Sequence, residues 1–231
     1  MHKVSAIIPT HNEELNIEAA IDSVSWANEI IIVDSFSTDN TVQIAKTKGV
    51  RVLEHEYLNS ATQKNWAIPQ ATHPWIFLLD ADERITPELK TEILGKLNDP
   101  EPFDAFWIKR RTHFMGKEIK FSGWQNDGVI RLFKRDTCKY QERAVHAEII
   151  TTGKIGKMKG LLLHYTYKGI SNYLEKYNRY TTWSAFDRAK KTNNVTGFHL
   201  FIKPVFRFIK MYIFKLGFLD GKVGFIIATT S

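Results

Sequence analysis

The chain has one cysteine, Cys138, among its 231 residues. That excludes an intramolecular disulfide and suits a reducing compartment. No uninterrupted apolar run reaches the roughly 18 residues that a membrane-spanning helix needs. Met1-His2-Lys3 leads straight into a strand-like segment, without the apolar stretch of a signal peptide. These absences together predict a cytoplasmic protein. Neither G-x-G-x-x-G nor G-x-x-x-x-G-K-[ST] occurs, so dinucleotide-binding and P-loop readings lack their phosphate cradle. There is no cluster of Cys and His, no internal repeat and no low-complexity linker.

Charge is present but segregated. Residues 1–100 carry 8 Lys+Arg against 15 Asp+Glu, whereas residues 101–231 carry 24 against 10. This predicts an acidic half suited to a metal and a basic half that meets something anionic. Six Trp, eight Tyr and fifteen Phe make the chain aromatic.

The first hundred residues alternate strand and helix signals. Val4 to Ile8 reads as a buried strand ended by Pro9, and Asn12 as a helix cap ahead of Glu13 and Glu14. Ile17, Ala20, Ile21 and Val24 recur at helical spacing. Glu29 to Val33 is a second strand, followed by a helix that stops at Gly49, and Val50 to Leu53 is a third strand. A helix over about 60–70 precedes the apolar strand Trp75 to Leu79, which should be central. Thr86-Pro87 opens the next helix as cap and first-turn proline. Such a rhythm implies a mostly parallel, doubly wound sheet that binds ligands beyond the carboxyl ends of its strands. Polar clusters fall at those ends: Pro9 to Glu13, Asp34 to Asp39, and Asp80-Ala81-Asp82. Asp39 reads as a helix cap rather than a ligand. Beyond residue 100, strands are expected at 103–114, 129–133, 145–150 and 161–165, with helix from about Ser171.

Taken alone, Asp80-Ala81-Asp82 could be a solvated acidic turn. At a strand's carboxyl end, paired carboxylates suit Mg²⁺ or Mn²⁺, which can bridge to phosphate oxygens. Asp34 can accept from a ribose hydroxyl or a base N–H. Lys64 or a nearby Arg would help neutralise a diphosphate.

Four segments in order carry a resemblance: Ile7-Ile8-Pro9-Thr10-His11-Asn12-Glu13-Glu14, Ile32 to Thr41, Lys64-Asn65-Trp66-Ala67, and Phe77-Leu78-Leu79-Asp80-Ala81-Asp82-Glu83. Together they resemble glycosyltransferase family 2, whose members have the GT-A fold and invert configuration. The resemblance implies that Pro9, Thr10, Glu13, Asp34 and Lys64 line the nucleotide pocket. It implies that Asp80 reaches the ribose or the metal, and that Asp82 ligates the metal.

The second half resembles a narrower group that includes bacterial lipopolysaccharide inner-core β-1,4-glucosyltransferases. Gly123-Trp124 through Asp127, Arg131-Leu132-Phe133, Val145-His146 with Glu148, His164-Tyr165, and Lys215 to Lys222 carry this. Ala147 separates His146 from Glu148, where relatives usually have His followed directly by Glu. Many family members place an acidic base in a loop after a Gly-Trp pair. Asp127 is the matching position, with Glu148 and Glu142 in reserve. His146 or His164 could complete a metal shell or bind diphosphate, and Arg131 could pair with phosphate.

Three regions are expected: a nucleotide-sugar-binding half over 1–100, an acceptor-binding and catalytic half over 101–167, and a basic-aromatic helical extension over 168–231. In the extension Lys203, Arg207 and Lys210 share one helical face, with Pro204 near a helix start or kink. Their setting among Phe, Ile and Leu predicts a peripheral contact with an anionic membrane surface. A nucleic-acid partner is not expected, since it would leave the acidic half unexplained. Phe225-Ile226-Ile227 lies close to the last residue, as in a helix cut short or a truncated chain.

The expected activity is transfer of a hexose, glucose from UDP-glucose, to a glycolipid or polysaccharide acceptor such as lipopolysaccharide core. The alternatives are a sugar nucleotidyltransferase and a non-catalytic sugar-binding protein at a membrane surface. The sequence does not set an oligomeric state.

Overall fold

The computed structural model describes residues 2–143, 147–167, 169–189 and 194–231. It divides into two units: Met1–Arg110 with Gly128–His164, and Arg111–Asp127 with Tyr165–Ser231. Residues 111–127 thus group with the C-terminal residues.

The first unit opens with strands β1 (Val4–Thr10), β2 (Glu29–Asp34), β3 (Arg51–Glu54) and β4 (Trp75–Leu78). Helices α1 (Ile17–Ser23), α2 (Thr41–Thr47) and α3 (Ser60–Ala67) connect them. All three pairings among these strands are parallel. Next come β5 (Glu83–Ile85) and α4 (Pro87–Asn98), with β6 spanning Phe103–Phe114. The second half of the chain adds β7 (Lys117–Glu118), β8 (Gly128–Lys134), β9 (Cys138–Tyr140), β10 (Ile149–Thr151) and β11 (Lys154–Tyr167). The strand order is β3-β2-β1-β4-β8-β6-β11-β5. The β4/β8, β6/β8 and β11/β5 pairings are antiparallel, so the sheet is mixed and its parallel part is the N-terminal four strands. Residues 144–146, including Val145 and His146 at the start of an expected strand, lie outside the described residues.

Both faces of the sheet are covered, which explains the continuous apolar runs of β1, β2 and β4. Ala6, Ile8, Ile32 and Phe77 pack with Ile17, Ala20 and Ile21 of α1 and Leu89, Ile93 and Leu97 of α4. Ile7, Ile31, Val33, Ile76 and Leu78 pack with Ala61 and Ala67 of α3 on the other face. The Thr86 hydroxyl accepts from Leu89 N at 3.2 Å and caps α4, with Pro87 in its first turn.

Two local expectations change. Pro9 does not end β1, which runs on to Thr10. Backbone polar groups alternate sides along a strand. Ile7 faces β4, since its carbonyl accepts from Leu79 N. Pro9 therefore faces the same way, where pairing with β4 has already ended at Ile7. Its missing N–H costs no ladder bond. Asn12 does not cap a helix, because α1 starts at Ile17. It takes a left-handed φ of 53°. Its backbone N–H donates to Ser37 Oγ and its Oδ1 accepts from Thr38 N, both at 2.8 Å, which ties the loop after β1 to the loop after β2. Asp39 lies one position before Asn40, the N-cap of α2, and accepts from Thr41 N at 3.0 Å.

The second unit contains the end of β6, β7, the segment to Asp127, the end of β11, and the helices α5 (Ile170–Ala189), α6 (Lys203–Ile209) and α7 (Lys222–Thr230). Phe114, Ile119, Tyr173, Met211, Ile227 and Ala228 form its core. π-helical turns at Phe198–Ile202 and Lys210–Phe214 flank α6. Pro204 sits in the first turn of α6, where the wider turn before it relieves the clash proline causes inside a helix. Asp220 is buried. Its carboxylate accepts from Lys120 N, Phe121 N and Ser122 Oγ, each at 3.1 Å. Ser122 N donates to Lys215 O at 3.0 Å. The Lys215 to Lys222 segment therefore holds the strand-to-loop passage before Gly123. Among the described residues no helix is long and apolar enough to cross a membrane.

Candidate active site

Strand order reverses at β1 and β4: β2 and β3 follow β1 on one side, and β4 lies on the other. In open α/β sheets such a switch point leaves a crevice beyond the strands' carboxyl ends. Thr10 and Asp34 are Cα partners at the ends of β1 and β2, and Asp80 follows the end of β4.

The turn at Asp80 is closed by its own neighbours. Glu83 N donates to Asp80 O at 2.9 Å, and Asp80 N donates to Glu83 Oε2 at 3.1 Å. Glu83 folds back in this way because it belongs to β5, where it pairs with His164 of β11 and is fully buried.

Around this turn lies an ion cluster. Lys64 Nζ of α3 is 2.9 Å from Asp80 Oδ1. Arg131 Nη2 of β8 donates to Asp80 Oδ2, and also to Glu83 Oε1 at 2.7 Å. Arg110 of β6 reaches the same Glu83 oxygen at 3.3 Å. Burial disfavours the Asp80 charge, but Arg131 and Lys64 outweigh it and hold the carboxyl well below the usual carboxylate range. Burial likewise disfavours charged Lys64, yet Asp80 raises its pKa. Arg131 is raised by Asp80 and Glu83 against the same penalty. All three therefore stay ionised at neutral pH. The Asp80 side chain is 31% exposed, against 3% for Arg131 and 8% for Lys64. The carboxylate sits at the mouth and the cations behind it. Arg131 Nε is buried and meets no partner among the described residues.

Asp82 lies two residues on. His164 Nε2 is 3.6 Å from Asp82 Oδ2, and both side chains are largely buried. His164 Nδ1 meets no partner among the described residues. No group of three or more His, Cys, Asp or Glu is arranged to hold a metal among the described residues. Asp82 with His164 nevertheless fits Mg²⁺ or Mn²⁺, which take few protein ligands and complete their shell with phosphate oxygens and water. Asp80 fits less well, because each of its oxygens already faces a cation. His146 lies outside the described residues.

On the nucleotide side, Asp34 is fully buried and accepts from Ser37 N at 2.8 Å. Its four lone-pair positions leave room for a further donor. Thr10 is buried and its hydroxyl meets no partner among the described residues. Pro9 precedes it in β1. Glu13 accepts from Asn16 Nδ2 at 2.6 Å, which shapes the loop leading into α1. Thr10, Asp34, Lys64, Asp80, Asp82, Arg131 and His164 all belong to the first unit.

Sequence reasoning missed several supporting residues. Glu83 and Arg110 carried no assigned role, yet they complete the ion cluster. Asn65 clamps the backbone of Tyr140 in both directions, at 3.0 and 2.8 Å, and so fixes β9 beside Lys64. Gln63 donates to Val33 O and Ser35 Oγ and holds the end of β2. Asn65 and Glu83 stand inside the segments that carry the resemblance and Gln63 borders one, whereas no local signal marks Arg110.

The base candidates belong to different units. Asp127 belongs to the second unit, where it ends the 3₁₀ turn Trp124–Asn126 and donates its N–H to Trp124 O at 3.1 Å. Glu142 is exposed and lines a cavity of about 390 Å³ with Asn59, Thr62, Asn65 and Arg143. Glu148 is also exposed, and its carbonyl accepts from Gln141 N.

A model of the family described as "Glycosyl transferase family 2" matches residues 5–168. The chain is 29% identical over 238 residues to an uncharacterized glycosyltransferase of Rickettsia typhi, covering 98% of this chain and 82% of that protein. It is 28% identical over 234 residues to the lipopolysaccharide core biosynthesis glycosyltransferase LpsC of Rhizobium meliloti, covering 98% and 87%. Its fold is similar to that of S. aureus TarS 1–349, with a TM-score of 0.51 and 17% identity over 71% of this chain and 60% of that one. The family match sets aside the sugar nucleotidyltransferase reading. The ordered motifs, the mixed sheet of GT-A type and the family match over most of the chain agree: this protein belongs to glycosyltransferase family 2 and is a glycosyltransferase.

Proposed function

We propose that the protein transfers glucose from UDP-glucose, with inversion, to a hydroxyl of a membrane-held glycolipid of the lipopolysaccharide core type. The observation that carries the donor side is the pair of buried cations, Lys64 and Arg131, set by Asp80 at the switch point of the sheet. Pro9, Thr10, Glu13 and Asp34 form the nucleotide side of the pocket. Asp80 orients the cations and meets the ribose. Lys64 and Arg131 face the diphosphate.

Asp82, with His164, would hold Mg²⁺ or Mn²⁺. A divalent cation at that place supplies further positive charge to the leaving diphosphate. Asp127 is the base. The acceptor oxygen forms its bond to the anomeric carbon as the bond from that carbon to the diphosphate oxygen breaks. The acceptor proton passes to an Asp127 oxygen, and UDP leaves with the electron pair. Likeness to LpsC supports an acceptor in the lipopolysaccharide core. Exposed Phe201, Val205, Phe206 and Phe214, interleaved with Lys203, Arg207 and Lys210, support contact with an anionic membrane at its cytoplasmic face.

The test is UDP release from UDP-glucose with and without Mn²⁺. The wild type should release UDP faster with the metal, and Asp82→Asn should lose that stimulation by about 10–100-fold. Unchanged metal dependence in Asp82→Asn would sink the donor-side assignment.

A further inference from the structure

A second cluster of cations lies in the second unit and is not used by the donor chemistry. Ser122, Gly123, Trp124, Arg207, Lys210 and Lys215 surround a cavity of about 190 Å³, with Met211 also lining it. That volume accepts a phosphate group and part of what bears it, but not a nucleotide sugar. Arg207, Lys210 and Lys215 are exposed, and none pairs with a carboxylate among the described residues.

The backbone brings these cations together. Lys210 and Lys215 are five residues apart and would point about 140° apart on an α-helix, at 3.6 residues per turn. Here the chain is wound as a π-turn over Lys210–Phe214, and Lys215 N donates to Lys210 O at 2.9 Å. A five-residue turn stacks the two lysines on one side. Arg207, three residues before Lys210, joins them from α6. π-turns are rare and concentrate at functional sites.

Gly123 completes the arrangement. It has a φ of 88°, and a Cβ there would stand 2.7 Å from Lys215 Nζ and Cδ. The left-handed φ favours glycine here, and a larger residue would push the Lys215 ammonium from its place over this loop. The same loop leads through Trp124–Asn126 into Asp127.

We propose that Arg207, Lys210 and Lys215 form a phosphate subsite that holds a phosphoryl group of the acceptor beside the loop carrying Asp127. Convergent cations without carboxylate partners match a compact dianion, and an arginine fork matches its oxygens. The subsite rests on the acceptor reading above only for the source of the phosphate. Phosphate binding itself requires no sugar transfer.

The experiment uses the full chain saturated with UDP, so that the donor-side cations are occupied. UDP binding is measured first and reports on the donor reading separately. Calorimetry then follows inorganic phosphate and glycerol 3-phosphate at constant ionic strength. Co-sedimentation follows vesicles of phosphatidylcholine with and without phosphatidylglycerol. Wild type should bind the soluble phosphates saturably, and Lys210→Gln with Lys215→Gln should weaken that binding about tenfold or more. This outcome assigns the acceptor's own phosphate. Binding confined to phosphatidylglycerol vesicles and lost in the variant keeps the subsite but overturns the acceptor as its source. Equal binding of every probe by variant and wild type, or no phosphate binding at all, overturns the proposal. Lys210→Gln alone, at an exposed position, serves if the double variant fails to fold.

Discussion

Glu83→Gln tests whether the donor-side cations are held by buried charge. The substitution keeps size and shape but removes a charge from a fully buried side chain. Glu83 receives Arg131 at 2.7 Å and Arg110 at 3.3 Å on one oxygen, and Asp80 N at 3.1 Å on the other. A glutamine has one oxygen for these donors, and its NH₂ would face at least one of them. Loss of one charge-assisted bond costs about 1.5–3 kcal/mol. Removing one partner of a buried ion pair costs about 3–5 kcal/mol. Arg131 keeps Asp80, so the expected loss lies where the two ranges meet, about 3 kcal/mol. For a protein of this size that lowers Tm by roughly 6–12 °C. Urea unfolding followed by tryptophan fluorescence measures the loss, with the transitions of the two units fitted separately if they do not coincide. Adding Arg131→Met should recover part of the loss, because it removes the stranded cation. A Glu83→Gln protein within about 0.5 kcal/mol of wild type would refute the reasoning, as would full additivity with Arg131→Met.

Two further outcomes follow from the same geometry. Asp127→Asn should lower kcat about 100-fold or more with UDP affinity unchanged, whereas Glu142→Gln and Glu148→Gln stay near wild type. The reverse pattern in steady-state kinetics moves the base to one of the glutamates. For Asp80 the folded pKa lies below the ordinary value of 3.8, chiefly because Arg131 and Lys64 outweigh the burial that would raise it. Its contribution is therefore complete above that ordinary value and is lost only as pH falls below it towards the folded pKa. The stability advantage of wild type over Asp80→Asn should be flat from neutral pH to about pH 5 and shrink in stronger acid. Urea titrations across that range check it, and an advantage that grows on acidification contradicts the cluster.

The first hundred residues were readable because their signals are local. β1, β2 and β4 are apolar runs long enough to announce buried strands, and Thr86-Pro87 marks a helix start within two residues. β5 was not readable. Glu83-Arg84-Ile85 carries two charges in three residues and becomes a strand only because Leu162 to His164 pairs with it. The burial of Glu83 is equally non-local, since Arg110 and Arg131 arrive from strands that follow it in the chain. Asn12 misled for a different reason. Its side chain can cap a helix or bridge two loops, and only the position of Ser37 and Thr38 decides between them. In the second half, β6 showed its alternation, but only the end of β11 did. Lys154, Gly156, Lys157 and Gly160 interrupt the apolar pattern of its first part. The π-turn at Lys210 leaves no mark in the sequence at all. It places Lys210 with Lys215, a grouping that α-helical spacing does not suggest.

The carboxylate of Asp220 has a consequence for where this enzyme can be cut. The family match ends at residue 168, yet the backbone amides of Lys120 and Phe121 and the hydroxyl of Ser122 are satisfied by a side chain some hundred positions later. A fragment designed to the family boundary would leave those donors without their acceptor, just ahead of the turn that presents Asp127. The residues past 168 are therefore structural kin of the loop at 120–127, and the smallest piece worth expressing for catalysis runs past Asp220 through α7, whose Ile227 and Ala228 belong to the same core.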